Sequence, residues 1–250
     1  MPRRDVVLPP WWVEGAAVAA GYVLYQVVQI AVAGSTRSAV DRAIWLWSFE
    51  RHLHLDPETA LNHIVTGSHW LAVAAGSYYG IAHFVVTPLV LVWLRFRRQW
   101  AYVPLRNVLV ASSLVALVVY WLLPMAPPRL AVNGIVDTLK VNNILSAGSP
   151  TGPASLANQY AAMPSLHVAW AVWVALALVV ALPGVRGRGI VWAYPVVTTL
   201  VVLGTGNHFL LDAVAGFALV LGTAWVVTRA QPLTLVLPED RAGVARELAG

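Results

Sequence analysis

The sequence contains no cysteine and few charged residues. The absence of cysteine from all 250 residues excludes disulfide bonds, thiolate metal sites and a cysteine nucleophile. Charged residues make up 11% of the chain and hydrophobic residues 59%, whereas a soluble domain is about a quarter charged. A membrane-spanning helix needs about 20 mostly apolar residues, so the chain has room for several spans and short loops. The composition therefore predicts one integral membrane domain.

The formal net charge is +5, but the basic residues are dispersed among apolar segments. Nucleic-acid binding requires basic residues clustered on one face, so we expect no nucleic-acid partner. The apolar segments predict an all-α integral membrane bundle of about six transmembrane helices, with membrane lipids as its surroundings. The predicted spans cover residues 11–33, 71–94, 102–123, 164–182, 190–206 and 208–229.

The first span has an alternative interpretation as a signal peptide with Ala31-Val32-Ala33 as its cleavage site. However, the segment is longer than the ~7–15 residues of a signal core and contains Glu14, Gln26 and Gln29. We therefore predict a retained span.

Charged and aromatic residues alternate between residues 35 and 70, a pattern typical of an amphipathic helix lying in the membrane interface. Asp56-Pro57-Glu58 predicts the start of a second helix there, with Asp56 as the cap and Pro57 at the first position. The chain thus divides into residues 1–70 (first transmembrane helix and interfacial segment), residues 71–230 (a membrane domain that carries the motifs described below) and residues 231–250 (a polar tail).

With six spans the two termini lie on the same side of the membrane. That side receives most of the basic residues: Arg3, Arg4, Arg95, Arg97, Arg98, Arg106, Arg186, Arg188, Arg229, Arg241 and Arg246. The other side receives Arg37, Arg42, Arg51, Arg129 and Lys140. The positive-inside rule therefore predicts cytoplasmic termini. In a plasma membrane, the loop of residues 124–163 (the central loop), Pro164 and His208 then lie at the outer face.

Three segments bring polar groups to that face. Arg129, in the proline-rich and glycine-rich central loop, has forked donors suited to phosphate oxygens. Ser165 and the free amides at the start of the following helix also attract anions, and His167 lies just inside this helix. His208 and Asp212 are four residues apart, which places both on one face of a helix and lets the carboxylate orient the imidazole.

Each of these features also has a structural interpretation: a helix start, an interfacial anchor, or a buried His–Asp hydrogen bond. Their convergence on one face favours a phosphate-processing site. His83, inside the second span, is a further candidate because ionisable residues in a membrane usually face the bundle interior or a wet cavity. A hydrogen-bonded structural histidine is the alternative at that position.

The motifs resemble those of the type 2 phosphatidic acid phosphatase superfamily. Pro164-Ser165-Leu166-His167 is similar to its Pro-Ser-x-His segment, and His208-x-x-x-Asp212 to its closing His-x-x-x-Asp. Residues 124–129 (PMAPPR) and 160–163 (YAAM) look like the branch that includes fungal inositol phosphorylceramide synthase and its bacterial relatives. The resemblance covers about residues 83–216.

The resemblance implies a phosphotransferase or lipid phosphatase that works through a phosphohistidine, without a metal ion or other cofactor. By that analogy His208 is the nucleophile, Asp212 its orienter and His167 the general acid, while Arg129 and Ser165 hold the phosphate. The substrate is then a lipid phosphate and the acceptor is water or a polyol.

Three positions depart from the superfamily pattern. Leu122 replaces a lysine, Leu130 a proline and Val202 an arginine, so two phosphate-binding cations are missing from their usual places. Nearby polar residues are candidates to compensate: Asn207, Arg106, Arg37 and Lys140.

Two other functions fit the same polar cluster. The first is a transporter or non-catalytic lipid-binding protein that holds an anionic head group, although no internal repeat is apparent. The second is a metallohydrolase built on His167, His208 and Asp212, which the presence of only one well-placed acid disfavours.

Overall fold

The computed structural model describes residues 8–32, 36–147 and 159–230. The predicted tail, Arg3, Arg4 and the Gly148–Pro153 cluster of the central loop lie outside these residues. The described part contains ten α-helices and no strand. The helices are α1 (Trp11–Val32), α2 (Thr36–His52), α3 (Glu58–Thr66), α4 (His69–Arg97), α5 (Gln99–Leu122), α6 (Pro128–Ala131), α7 (Thr138–Val141), α8 (Leu166–Ala181), α9 (Ala193–Gly204) and α10 (Leu210–Ala230).

Hydrophobic composition accounts for the long helices. Helices α1, α4, α5 and α10 are long and apolar enough to cross a membrane. The segments 166–181 and 188–204 are shorter apolar helices, and the second opens with a 3₁₀ turn at Arg188–Trp192. The prediction of an all-α membrane bundle is confirmed, with four long helices and two shorter ones in place of six similar spans.

Helix α8 lies at the centre of this bundle. It contacts α4, α5, α9 and α10, and most of its residues are buried. The fully buried Trp173 donates a hydrogen bond from its indole nitrogen to the Leu105 carbonyl oxygen at 2.8 Å. An all-round apolar helix of this kind is expected in the interior of a bundle.

Helices α2 and α3 cover the end of the bundle at which α8 and α10 begin. The buried face of α2 includes Ala39, Ala43 and Leu46, which pack with Ala126 of the central loop and Phe209 before α10. On the opposite face Trp45 and Phe49, both exposed, stack with ring centroids 5.7 Å apart. The amphipathic helix predicted in this segment is therefore present.

The start of α3 differs from the prediction. Pro57 itself occupies the cap position, without a side-chain hydrogen bond, and the helix begins at Glu58. Asp56 lies one residue too early to cap the helix, and its carboxylate is 3.8 Å from Nε of Arg51. The predicted Asp56 cap is therefore wrong.

Asn62 joins three parts of this end of the bundle. Its buried side chain donates to the carbonyl oxygens of Val136 and Gly204 and accepts from the Val136 N–H, all within 3.0 Å. The central loop, with the short helices α6 and α7, is thereby fixed against α3 and the end of α9. A loop held in this way can present Arg129 in a defined position.

Candidate active site

The starts of α8 and α10 meet. The Ser165 N–H donates to the Asp212 carbonyl oxygen at 2.9 Å, and the Tyr120 hydroxyl donates to the Pro164 carbonyl oxygen at 2.6 Å. Gly216 permits this approach, because a Cβ there would lie 2.4 Å from the Ser165 carbonyl oxygen. The two histidine-bearing segments are thus brought together.

His208 lies in the turn of residues 205–209 (the His208 turn) and not inside a helix, because α10 begins at Leu210. Its Nδ1 is 2.9 Å from the Ala162 carbonyl oxygen. A carbonyl can only accept, so Nδ1 carries the proton and Nε2 keeps the lone pair of the neutral imidazole. His208 is 4% exposed, so this hydrogen bond forms in a sheltered position.

Asp212 contacts His208 less directly than the four-residue spacing predicts. Its Oδ2 is 3.5 Å from Nδ1 of His208 and accepts the Phe209 N–H at 2.9 Å. The carboxylate therefore caps the start of its own helix and adds negative charge beside the imidazole. The Ala162 carbonyl thus accepts the short hydrogen bond from Nδ1, and the role of Asp212 as orienter stays a prediction.

His167 is the second residue of α8, and its ring centroid lies 5.8 Å from that of His208. One face of the His167 ring stacks on Tyr79 at 4.1 Å, and His83 meets its edge at 4.2 Å. His83 therefore belongs to the same cluster. Its Nδ1 is buried and has no hydrogen-bond partner in the described part of the chain.

Ser165 is fully buried and caps α8, since its Oγ accepts the Val168 N–H at 3.4 Å. Its hydroxyl hydrogen remains available for donation. The backbone N–H of Leu166 interacts with the Tyr120 hydroxyl, and among the described residues the backbone N–H of His167 has no acceptor. Free donors at a helix start form an anion-binding site.

Arg129 is fixed to the His208 turn. Its backbone N–H donates to Gly206, its Nη1 to Oδ1 of Asn207 at 2.6 Å, and its Nε to Oδ2 of Asp137 at 3.2 Å. Nη2 contacts no acceptor in the described ranges and remains for a ligand. Asn207 thus positions the arginine and does not replace a missing cation. Asp137 was not predicted, and its only sequence signal is a helix-capping position before α7.

A family comparison agrees with this geometry. The family model described as the PAP2 superfamily matches residues 44–226. The chain belongs to the PAP2 superfamily. PAP2 membership assigns it the general class of phosphatase or phosphotransferase activity on lipid phosphates. The match begins within α2 and so extends well beyond the 83–216 stretch that carries the motifs. No curated protein and no solved structure matches the chain significantly.

In this PAP2 chain several predicted accessory residues lie outside the cluster. Arg106 pairs with Glu14 of α1 at 2.8 Å, and it precedes Tyr120 by about four helical turns, or roughly 20 Å along α5. Arg37 and Lys140 are exposed, and within the described part of the chain neither contacts a histidine of the cluster. The structure therefore does not bring these three cations to the site. Within the described residues, no three His, Asp or Glu side chains converge as ligands for a metal ion.

Two buried acids of the PAP2 match were not predicted as site residues. Glu50 accepts the Leu211 N–H at 2.6 Å, and Glu58 accepts the Leu210 N–H at 2.5 Å. In the sequence both belong to a charged amphipathic segment, a pattern typical of a solvated face. Their burial depends on the distant start of α10, which no local pattern reveals.

Proposed function

We propose that this PAP2 protein is a membrane enzyme that transfers a phosphoryl group, or a phospho-head group, from a lipid phosphate by way of a phosphohistidine at His208. The hydrogen bond from Nδ1 of His208 to the Ala162 carbonyl supports this proposal most directly. With the proton on Nδ1, the lone pair of the neutral imidazole is on Nε2, which can then act as the nucleophile beside the starts of α8 and α10. A nucleophile oriented by a second group is the usual arrangement for covalent catalysis.

In the first step, Nε2 of His208 forms a bond to phosphorus while the bond from phosphorus to the leaving oxygen breaks. His167 donates a proton to that oxygen. In the second step, an acceptor hydroxyl loses its proton to His167 and attacks phosphorus, and the N–P bond breaks. The proton at Nδ1 stays in place throughout. The positive charge that develops on the imidazole is stabilised by Asp212, whose Oδ2 is 3.5 Å from Nδ1.

The phosphoryl oxygens are held by Nη2 of Arg129, the Ser165 hydroxyl and the free backbone N–H of His167. These donors are fixed before the substrate arrives, because Arg129 is tied to Asn207 and Asp137 and Ser165 caps α8. Preorganised donors of this kind stabilise the charge on a transferring phosphoryl group, which is the main requirement of the reaction.

The acceptor is water or a polyol. The motif residues 124–129 and 160–163 favour an inositolphosphotransferase-like reaction, and Arg129 of the central loop packs against the His208 turn, where this part of the loop can border an acceptor pocket. We place the site at the outer face of the plasma membrane, following the charge distribution along the chain.

The proposal is tested by incubating the purified full-length protein with phosphate-labelled phosphatidic acid, polyprenyl phosphate or phosphoinositide, with and without free polyols. Wild type should acquire an acid-labile label, and His208→Ala should lose turnover by at least about 1,000-fold. His63→Ala is the matched control, since His63 is exposed on α3. Wild-type turnover in His208→Ala refutes the nucleophile. Retention of lipid phosphate with neither label nor turnover identifies a binding protein or transporter instead.

A further inference from the structure

Carboxyl groups accept the backbone N–H groups at the start of α10. Three consecutive backbone N–H groups donate to them: Phe209 to Asp212 at 2.9 Å, Leu210 to Glu58 at 2.5 Å and Leu211 to Glu50 at 2.6 Å. An α-helix leaves its first four N–H groups without intrahelical partners. Here the protein itself supplies acceptors for three successive donors, and two of these acceptors come from α2 and α3.

The two helix starts of the site therefore serve different purposes. The start of α8 keeps the N–H group of His167 free of acceptors among the described residues. The start of α10 has no such free donors at residues 209–211, and its surroundings are acidic. An incoming phosphate is attracted to α8 and repelled from α10, so the acids around α10 serve to hold that helix and not to bind substrate.

Glu50 and Glu58 (the carboxyl pair) are both fully buried. No lysine, arginine or histidine lies within ion-pair distance of either one in the described part of the chain. Their Oε2 atoms are also buried and meet no donor from the rest of the described chain, while the two carboxyl groups interact with each other. Two neighbouring buried carboxylates without a cation are costly, and a single proton on the pair lowers this cost.

The direction of the pKa shifts agrees with one retained proton. Burial, together with the nearby charges of Glu58 and Asp212, raises the pKa of Glu50 to about 8. Burial also raises the pKa of Glu58 above its ordinary value. Glu50 thus keeps its proton at neutral pH, and one carboxyl of the pair remains neutral.

We propose that Glu50 and Glu58 are positioning residues that hold one proton between them and fix the start of α10, and with it Asp212 and the His208 turn. This inference rests on the proposed role of His208 as nucleophile. Both acids lie on one short bend, in which the Leu55 N–H closes back on the Glu50 carbonyl oxygen at 2.8 Å. Through this bend, Glu58 and Glu50 accept the amides of Leu210 and Leu211, which directly follow the His208 turn. Displacements of about 1 Å at a reacting centre are enough to lower a rate substantially.

Matched substitutions separate positioning from folding. Glu50→Gln and Glu58→Gln keep an oxygen for the helix amide and leave one neutral and one acidic group, so each should retain most of the wild-type kcat. Glu50→Ala and Glu58→Ala remove the acceptor, and each should lower kcat by about 10- to 100-fold with little change in KM, because neither substitution removes a phosphate donor. Asp41→Asn, at an exposed position of the same helix α2, is the control for surface charge.

The dependence of kcat on pH gives a second readout. The ionisable groups around the pair are Asp212 and His208 at the start of α10 and Asp56 before α3. In wild type, loss of the shared proton near pH 8 adds a further negative charge beside Asp212 and should lower kcat. Glu50→Gln carries no such proton and should lose this alkaline decline, whereas Asp41→Asn should keep it.

Activity and thermal unfolding of the full-length protein in detergent are measured together. The proposal is overturned if the folded alanine variants keep the wild-type kcat, if the glutamine variants fall as far as the alanine variants, or if Glu50→Gln keeps the alkaline decline. A lower melting temperature with unchanged kcat and pH profile identifies a purely structural role and also overturns it. Turnover by His208→Ala would instead refute the proposed nucleophile, independently of the carboxyl pair.

Discussion

Three carboxyl groups surround the first turn of α10 at the residue scale: Glu50, Glu58 and Asp212. All three are fully buried, and each accepts a backbone N–H from that turn. Helix starts favour negative charge, which partly offsets the burial of these acids. Protonation of Glu50 and Glu58 should consequently affect the stability of the whole fold.

We predict that the melting temperature falls as the pH rises from about 5 to about 8. The folded pKa of Glu50 is raised from the ordinary value of 4.5 to about 8. Below 4.5 both states hold the proton and the stabilisation is complete; between the two values only the folded state holds it, so stability decreases as pH rises. Glu50→Gln should show a flatter dependence in thermal unfolding from pH 5 to 8. An unchanged slope in this variant would count against the raised pKa.

Sequence patterns locate some of these residues and miss others for physical reasons. His167, Ser165 and Arg129 stand in recognisable motifs, and the structure brings them together around the start of α8 and the His208 turn. The Ala162 carbonyl has no side-chain signature, because every residue has one. Glu50 and Glu58 were missed because their burial comes from contacts with residues about 150 positions later in the chain.

At the scale of elements, the contact between α8 and α10 determines the site. The backbones approach closely at Gly216, where any Cβ would overlap the Ser165 carbonyl oxygen. This contact sets the spacing between the start of α8, where we propose that phosphate binds, and His208, the proposed nucleophile beside α10.

We predict that Gly216→Ala separates the two helix starts and impairs both stability and turnover. The added Cβ would lie 2.4 Å from a backbone oxygen, which cannot rotate away as a flexible side chain would. Gly222→Ala is the matched control on the same helix, because nothing lies within 4 Å of its Cβ position. It should be neutral or slightly stabilising, since alanine favours helix over glycine by about 1 kcal/mol. Equal melting temperatures and rates for the two variants would contradict this account.

The elements themselves follow from the sequence to different degrees. The long apolar segments predict α1, α4, α5 and α10, because hydrophobic length alone decides them. The sequence predicted that His208 begins the last helix, but α10 begins at Leu210. The Asp212 carboxylate accepts the Phe209 N–H and so caps the helix after His208. The short helices α6 and α7 depend on contacts of the central loop with α2 and α3, which no local pattern encodes.

At the scale of the whole molecule, the histidine cluster lies at the bundle end covered by α2, α3 and the central loop. The turn between α8 and α9, with Arg186 and Gly189, follows the far end of α8. The distribution of arginines predicts that this far end faces the cytoplasm. The two ends are therefore distinguishable by labelling.

We predict that Asn133→Cys reacts with a membrane-impermeant maleimide in intact cells, whereas Gly189→Cys reacts only after permeabilisation. Both positions are exposed, and the wild-type chain has no cysteine to give background labelling. Gly189 also has open space around its Cβ position, so the substitution is tolerated. The reverse labelling pattern would invert the proposed orientation and place the active site at the cytoplasmic face.

One short segment, residues 162–167, contains both the Ala162 carbonyl that accepts the His208 hydrogen bond and the helix start that we propose binds the phosphate. A bilayer of different thickness tilts or shifts membrane helices. A movement of α8 would carry the Ala162 carbonyl and the donors at the start of α8 together. The attacking nitrogen and the phosphorus would then keep their separation while the surrounding bundle adjusts. We therefore expect the proposed reaction to tolerate changes in bilayer thickness.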